Sequence, residues 1–156
     1  MMMSNLFSET FTIINQVPIS QTNPDKTKTK YKKHFIHNCD RRDGIFDKSN
    51  GTMAYKANAW SVWCKDWELY KPPIWTADGY YTLGDDEKAE FWTANVGDLI
   101  VFAEIPDIEP ITMQEFQDLL KKYRENGGQI TQAQSYINYK PDGTPWHTNH
   151  IEMIKG

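Results

Sequence analysis

The sequence predicts a mainly β fold, a small β-barrel or sandwich, with one packed α-helix near residues 113–125. Three observations carry this. Short alternating apolar stretches recur at 9–14 (ETFTII), 95–105 (NVGDLIVFAEI) and 150–154 (HIEMI), the period of half-buried strands. Turn dipeptides punctuate them: Asp43-Gly44, Asn50-Gly51 and Asp78-Gly79. One run, 112–126, joins helical spacing to both a start and a stop signal.

Taken in order, residues 9–14 open as a strand with Phe11 and Ile13 on one face. Residues 21–30 are polar, contain Asn23-Pro24, and read as a loop leading into a strand at 30–37, with Tyr31 and Phe35 opposite Ile36. Between Asp43-Gly44 and Asn50-Gly51 the chain is expected to make a tight excursion or hairpin. The stretch 53–70 is ambiguous: Trp60, Trp63, Trp67 and Tyr70 have helical spacing, whereas Trp60, Val62 and Cys64 alternate. Its β-branched and aromatic content favours a strand over 59–64. Pro72-Pro73 stops either element. A short strand at 80–83, an acidic loop at 84–90 and a clear strand over 95–105 are expected next.

The helix is signalled from both ends. Thr112 with Glu115 three residues on makes a capping box. Met113, Phe116, Leu119, Leu120 and Tyr123 form one apolar stripe that should lie flat on the sheet. Asn126-Gly127-Gly128 offers a left-handed residue to end it. A hairpin follows, with strands at 129–139 and 150–154 and a turn at 140–143.

At 156 residues the chain fits one domain over 1–156, with 1–8 as a flexible or partner-bound arm. No apolar run approaches the roughly 20 residues of a membrane helix. Two cysteines make no disulfide framework, and no secretory leader is visible, so a soluble protein of a reducing cytoplasm is expected. Residues 1–66 hold ten Lys/Arg against six Asp/Glu, and residues 67–156 hold seven against fifteen. Such a split suits a nucleic-acid contact or partners stacked positive face to negative face.

Catalytic chemistry is poorly served. His34, His37 and Cys39, and separately His147 and His150, lack zinc-ligand spacing, so no metal or other cofactor is expected. Neither Cys39 nor Cys64 sits in a nucleophile signature, and Asp85-Asp86-Glu87 reads as a solvated edge. A P-loop, a dinucleotide fingerprint and a nucleophile elbow are all missing from the sequence. The chain is therefore expected not to be an enzyme.

Two groups of residues point to contacts instead. Lys26, Lys28, Lys30, Lys32, Lys33, Arg41 and Arg42 fall within seventeen residues. Alternate lysines on an extended chain point one way, so this stretch could meet phosphates or an acidic partner without reading bases. The other reading is an edge strand guarded by lysines. The 13% aromatic content makes Trp60, Trp63, Trp67, Trp75 and Trp92 candidate interface residues, since Trp carries large apolar area with a polar tip.

The order of FTII (11–14), FIHNC (35–39), KPPIW (71–75), GYYTL (79–83), VGDLIVFAEI (96–105) and a closing HIEMIKG (150–156) resembles small phage proteins of the minor capsid or head-closure type. The resemblance covers residues 9–156 as a pattern, not as a diagnostic motif, and the helix at 112–126 departs from it. It implies a structural virion protein in the neck of a tailed phage, assembled in the host cytoplasm. Such a subunit forms a homo-oligomeric ring, touches portal or adaptor and tail-side proteins, and helps to retain DNA. The rival reading is a phage counter-defence protein, binding a host enzyme or holding a nucleotide signal in a pocket of Trp60, Trp63, Trp75 and Trp92.

Overall fold

The computed structural model describes residues 9–17, 30–49, 54–64, 67–145 and 149–155, with backbone alone at 43–49, 54–58 and 155. Six strands, β1 (Glu9–Val17), β2 (Lys30–Ser49), β3 (Ala54–Cys64), β4 (Leu99–Val101), β5 (Gly127–Tyr136) and β6 (His150–Lys155), form a closed antiparallel barrel. Around the barrel the order is β1-β2-β3-β6-β5-β4, and β4 returns to β1. Two helices accompany it, α1 (Asp85–Glu90) and α2 (Met113–Tyr123).

Period-two alternation explains the two apolar layers. Phe11, Ile13, Ile36, Val62, Ile100, Ile151 and Met153 pack together inside the barrel. The opposite face of β1 and β4 supplies Ile14, Leu99 and Val101, which meet Tyr31, Ile105 and Phe116 of α2. Both faces of β1 and β4 are consequently buried, as the apolar run at 99–101 leads one to expect. The Thr112 N-cap forms as read from sequence, Glu115 N donating to Thr112 Oγ1 at 3.2 Å, while Glu115 Oε2 accepts from Ile111 N, one residue before the cap, at 2.8 Å.

Several local expectations are corrected. Asp43-Gly44 makes no turn, because β2 runs through it and keeps eleven register pairs with β3, from Cys39↔Cys64 to Ser49↔Ala54. That ladder outweighs the local turn preference, and Asn50-Gly51 lies outside the described residues. Residues 80–82 form a 3₁₀ turn rather than a strand. The acidic run 85–87 opens α1, where carboxylates complement the helix dipole. Lys88 of that helix is buried and donates to the carbonyls of Leu83 at 2.8 Å and Tyr81 at 3.3 Å.

Only 99–101 of the stretch 95–105 is strand. A turn at Gly97, with φ 96°, starts it, and after Val101 the chain leaves to bury Ile105 under α2. At its far end α2 passes through a 3₁₀ turn (Arg124–Asn126) straight into β5, with Gly127 extended rather than left-handed. Glycine is needed there for another reason: a Cβ on Gly127 would sit 1.9 Å from the Ile100 carbonyl oxygen.

Asp98 pins the loop before β4 to β1. Its carboxylate accepts from Gln16 N, Asn15 Nδ2 and Asn95 N, each at 2.9 Å. Burial nevertheless pushes this carboxyl up to about 7, against the pull of those three donors.

Candidate functional site

Among the described residues β2 has one neighbour at a time, save at Cys39, where its two partners meet. Its first part pairs with β1, from Lys30↔Val17 to Cys39↔Glu9, and its second part pairs with β3 from Cys39 onward. The change of partner coincides with a register shift opposite Glu9–Phe11 and with Asn38 in the left-handed region, φ 59°. Asparagine tolerates that conformation, and a bulge there bends the strand. Two one-sided stretches result. Among the described residues no strand pairs with the outer edge of 30–38, or with the β1 side of 40–49.

A cleft of about 550 Å³ lies along the first of these stretches, lined by residues 33–38 and, opposite, by Leu69, Ala89, Glu90 and Trp92. Consecutive strand residues point to alternate faces. A cleft that touches six of them in a row therefore follows the strand's edge. Phe35 and Leu69 are more than a third exposed in it. His34 is buried, with Nε2 unpartnered among the described residues. Burial, aided by the charge of Lys32, pushes its imidazolium down to about 4, so the ring is neutral at pH 7.

The second stretch forms part of a ribbon. β3 meets β6 from Ala59 to Trp63, so the five pairs from Ile45↔Asn58 to Ser49↔Ala54 have no third strand among the described residues. This two-stranded ribbon continues past the barrel wall.

The basic residues are placed as follows. Lys26 and Lys28 lie outside the described residues. Lys30 and Lys32 share a face as expected, but Lys30 Nζ is held by Asp85 Oδ2 at 2.8 Å. Lys33 takes the opposite face, donates to the Asp107 carbonyl and lies over the Phe35 ring at 5.2 Å. Arg41 covers Phe102 at 4.3 Å. Arg42 lies over Trp63 at 4.8 Å and beside Asp40 at 3.7 Å. The cations thus spread over two faces and largely engage acids and rings of the same chain.

The tryptophans divide in the same way. Trp60, Trp67 and Trp92 are buried in the protein's own core, so they do not supply an exposed interface. Trp67, Tyr70 and Trp92 pack on one another at 5.0–5.8 Å, an arrangement fixed by the Trp92 N–H donating to the Leu69 carbonyl at 2.8 Å. Trp63 is half-buried and stacks on His150 at 4.8 Å, which stacks on Tyr136 at 4.8 Å. This row braces β3, β6 and β5. Trp75 is exposed and stacks on Tyr81 at 4.7 Å. Of Trp60, Trp63, Trp75 and Trp92, only Trp92 lines the cleft.

Cys39 and Cys64 are buried register partners with sulfurs 3.3 Å apart. Among the described residues no three His, Cys, Asp or Glu groups converge as metal ligands, and no helix is long and apolar enough to cross a membrane. Sequence reasoning missed Leu69, Ala89, Glu90 and Phe35 as cleft residues. The available signal was KKHFIH itself, a lysine-guarded strand with an exposed aromatic between the lysines and a histidine.

No family model matches the chain, and no curated protein or solved structure matches it either.

Proposed function

We propose that the chain is a structural subunit of a tailed-phage neck, a head–tail connector or head-closure protein that assembles with copies of itself into a ring. One observation carries this reading: the β2–β3 ribbon leaves the barrel with neither of its outer edges paired by a described strand over 45–49 and 54–58. Unpaired edges template further strands unless something covers them. Ribbon and barrel edge are different surfaces, so a contact between them is head to tail, which closes a ring if the rotation allows. The resemblance of residues 9–156 to head-closure proteins supplies the setting: portal or adaptor on one side, tail-side proteins on the other, and DNA in the lumen. Arg42, with 69% of its side chain exposed at the base of the ribbon, is the described cation best placed for a phosphate.

The test is mass in solution by light scattering, alone and with neighbouring neck proteins, on the whole chain and on a variant with 45–57 replaced by a two-residue turn. A ring from the whole chain and a monomer with an intact melting transition from the variant are expected. Rings of equal size from both would sink the reading.

A further inference from the structure

We propose that Cys39 and Cys64 are a redox pair, two thiols that a low-molecular-weight disulfide converts to a covalent bridge between β2 and β3. The chemistry stands on the geometry of the pair, and only the setting in which the bridge forms rests on the neck reading.

The ladder itself sets up the pair. Cys39 and Cys64 are direct register partners, and Cys39 is also the residue at which β1 joins β2. Antiparallel partners have Cα atoms roughly 4.5–5.5 Å apart, within the roughly 4.4–6.8 Å that disulfides span. Both thiols are reduced and buried, and their sulfurs lie 3.3 Å apart. Folding has thus placed the two reacting atoms in contact, and that proximity favours a bridge over two separate adducts.

Entry is through Cys39. The two residues before it, His37 and Asn38, are exposed, Asn38 is in the left-handed region, and the register of β1 shifts opposite. Local opening of this irregular joint uncovers the Cys39 sulfur while the β2–β3 ladder stays paired. Its thiolate attacks one sulfur of the oxidant, forming a mixed disulfide and releasing one thiol. The Cys64 sulfur then attacks that of Cys39, closing the bridge and releasing the second thiol. The protein gives up two electrons and two protons, and the oxidant's S–S bond takes both. The bridge pins the point where β2 changes partner and closes a separation of 25 residues. In a virion, thiols persist while subunits assemble in a reducing cytoplasm, and the bridge forms after release into oxidising surroundings.

The test equilibrates the full chain in mixtures of reduced and oxidised glutathione, folded and in denaturing urea, with acid quenching, alkylation and mass spectrometry as the readout. The bridging constant is expected to be about 100-fold larger in the folded chain. By linkage the oxidised chain should melt about 5–10 °C above the reduced one. Cys64→Ser should lose that rise. Equal constants in folded and unfolded chains, glutathione adducts in place of the bridge, or an oxidised chain that melts lower would overturn the inference. Light scattering on the same samples separates it from the ring. Rings whose thiols resist oxidation would overturn the pair alone, and a bridged chain that forms no ring would uphold the pair while the ring reading fails.

Discussion

β4 is three residues long and β2 is twenty, yet the short strand does more to close the barrel. β4 has β1 on one side and β5 on the other, and all three of its residues are buried. Among the described residues β2 has one neighbour along its length except at Cys39, where β1 and β3 both pair with it. Closure therefore depends on where two-sided pairing and burial coincide, not on strand length. A long strand that changes partner at a bulge keeps edges to spare, and those edges are where contacts with other molecules can be made.

The sharpest way to break this contrast is at Gly127, where β5 crosses Ile100. In Gly127→Val the new Cβ cannot be accommodated without parting β4 from β5. A loss of about 4 kcal/mol is expected, at the high end for single substitutions. For a chain of this size that is a fall of roughly 10 °C in melting temperature. A melting temperature within about 2 °C of the parent would show that the seam yields without cost.

A second test uses opposite proton linkages at the seam and the edge. The Asp98 carboxyl is raised to about 7. Its contribution is fully present below the unfolded value near 4 and is lost as pH rises through 7. His34 is lowered to about 4. Its contribution is present above the unfolded value near 6.5 and is lost as pH falls towards 4. Over pH 4–7 the two slopes oppose, and the parent's stability should vary less than either variant's. Denaturant titrations of Asp98→Asn should show stability rising with pH between 4 and 6.5. Those of His34→Gln should show it falling between 4 and 7. Asp98→Asn should also cost about 2 kcal/mol by leaving buried donors short of an acceptor. Parallel profiles for all three proteins would remove both assignments.

The smallest effect is expected at the edge itself. Phe35→Ala changes an exposed side chain of a one-sided strand, so chemical denaturation should move by no more than about 0.5 kcal/mol. A loss of several kcal/mol would mean that the edge is already part of the core.

Those magnitudes also explain what could be read from the sequence. α2 was legible because its cap, stripe and dipole all act within a dozen residues, and Thr112, Glu115 and Phe116 do what local chemistry asks. The alternation in β6 was legible for the same reason, whereas β1, read as half-buried, is covered on both faces. What was hidden depends on contacts distant in the chain. Asp43-Gly44 stays extended because β3 pairs with it, and Gly127 is a glycine because Ile100 lies against it. Trp67 and Trp92 could have been interface or core until the bridge Tyr70↔Trp92 folded them inward. The cleft was least legible of all, because it follows the outer edge of 30–38, with which no described strand pairs, and the residues Leu69, Ala89, Glu90 and Trp92 that wall it carry no periodic signal.

The strand order has a further consequence, for the time course of folding. β1, β2 and β3 pair in sequence order, and β5 and β6 pair with each other. These are local events that need only short chain closures. The two seams that seal the barrel, β1 with β4 and β3 with β6, join residues far apart in the chain, such as Thr12 with Val101 and Ala59 with Ile154, and their closure entropy must be met before either is rewarded. A meander bearing net positive charge and a second half bearing net negative charge are thus expected to form separately and then dock. The opposite charges then speed the slow step, and added salt should retard refolding more than it accelerates unfolding.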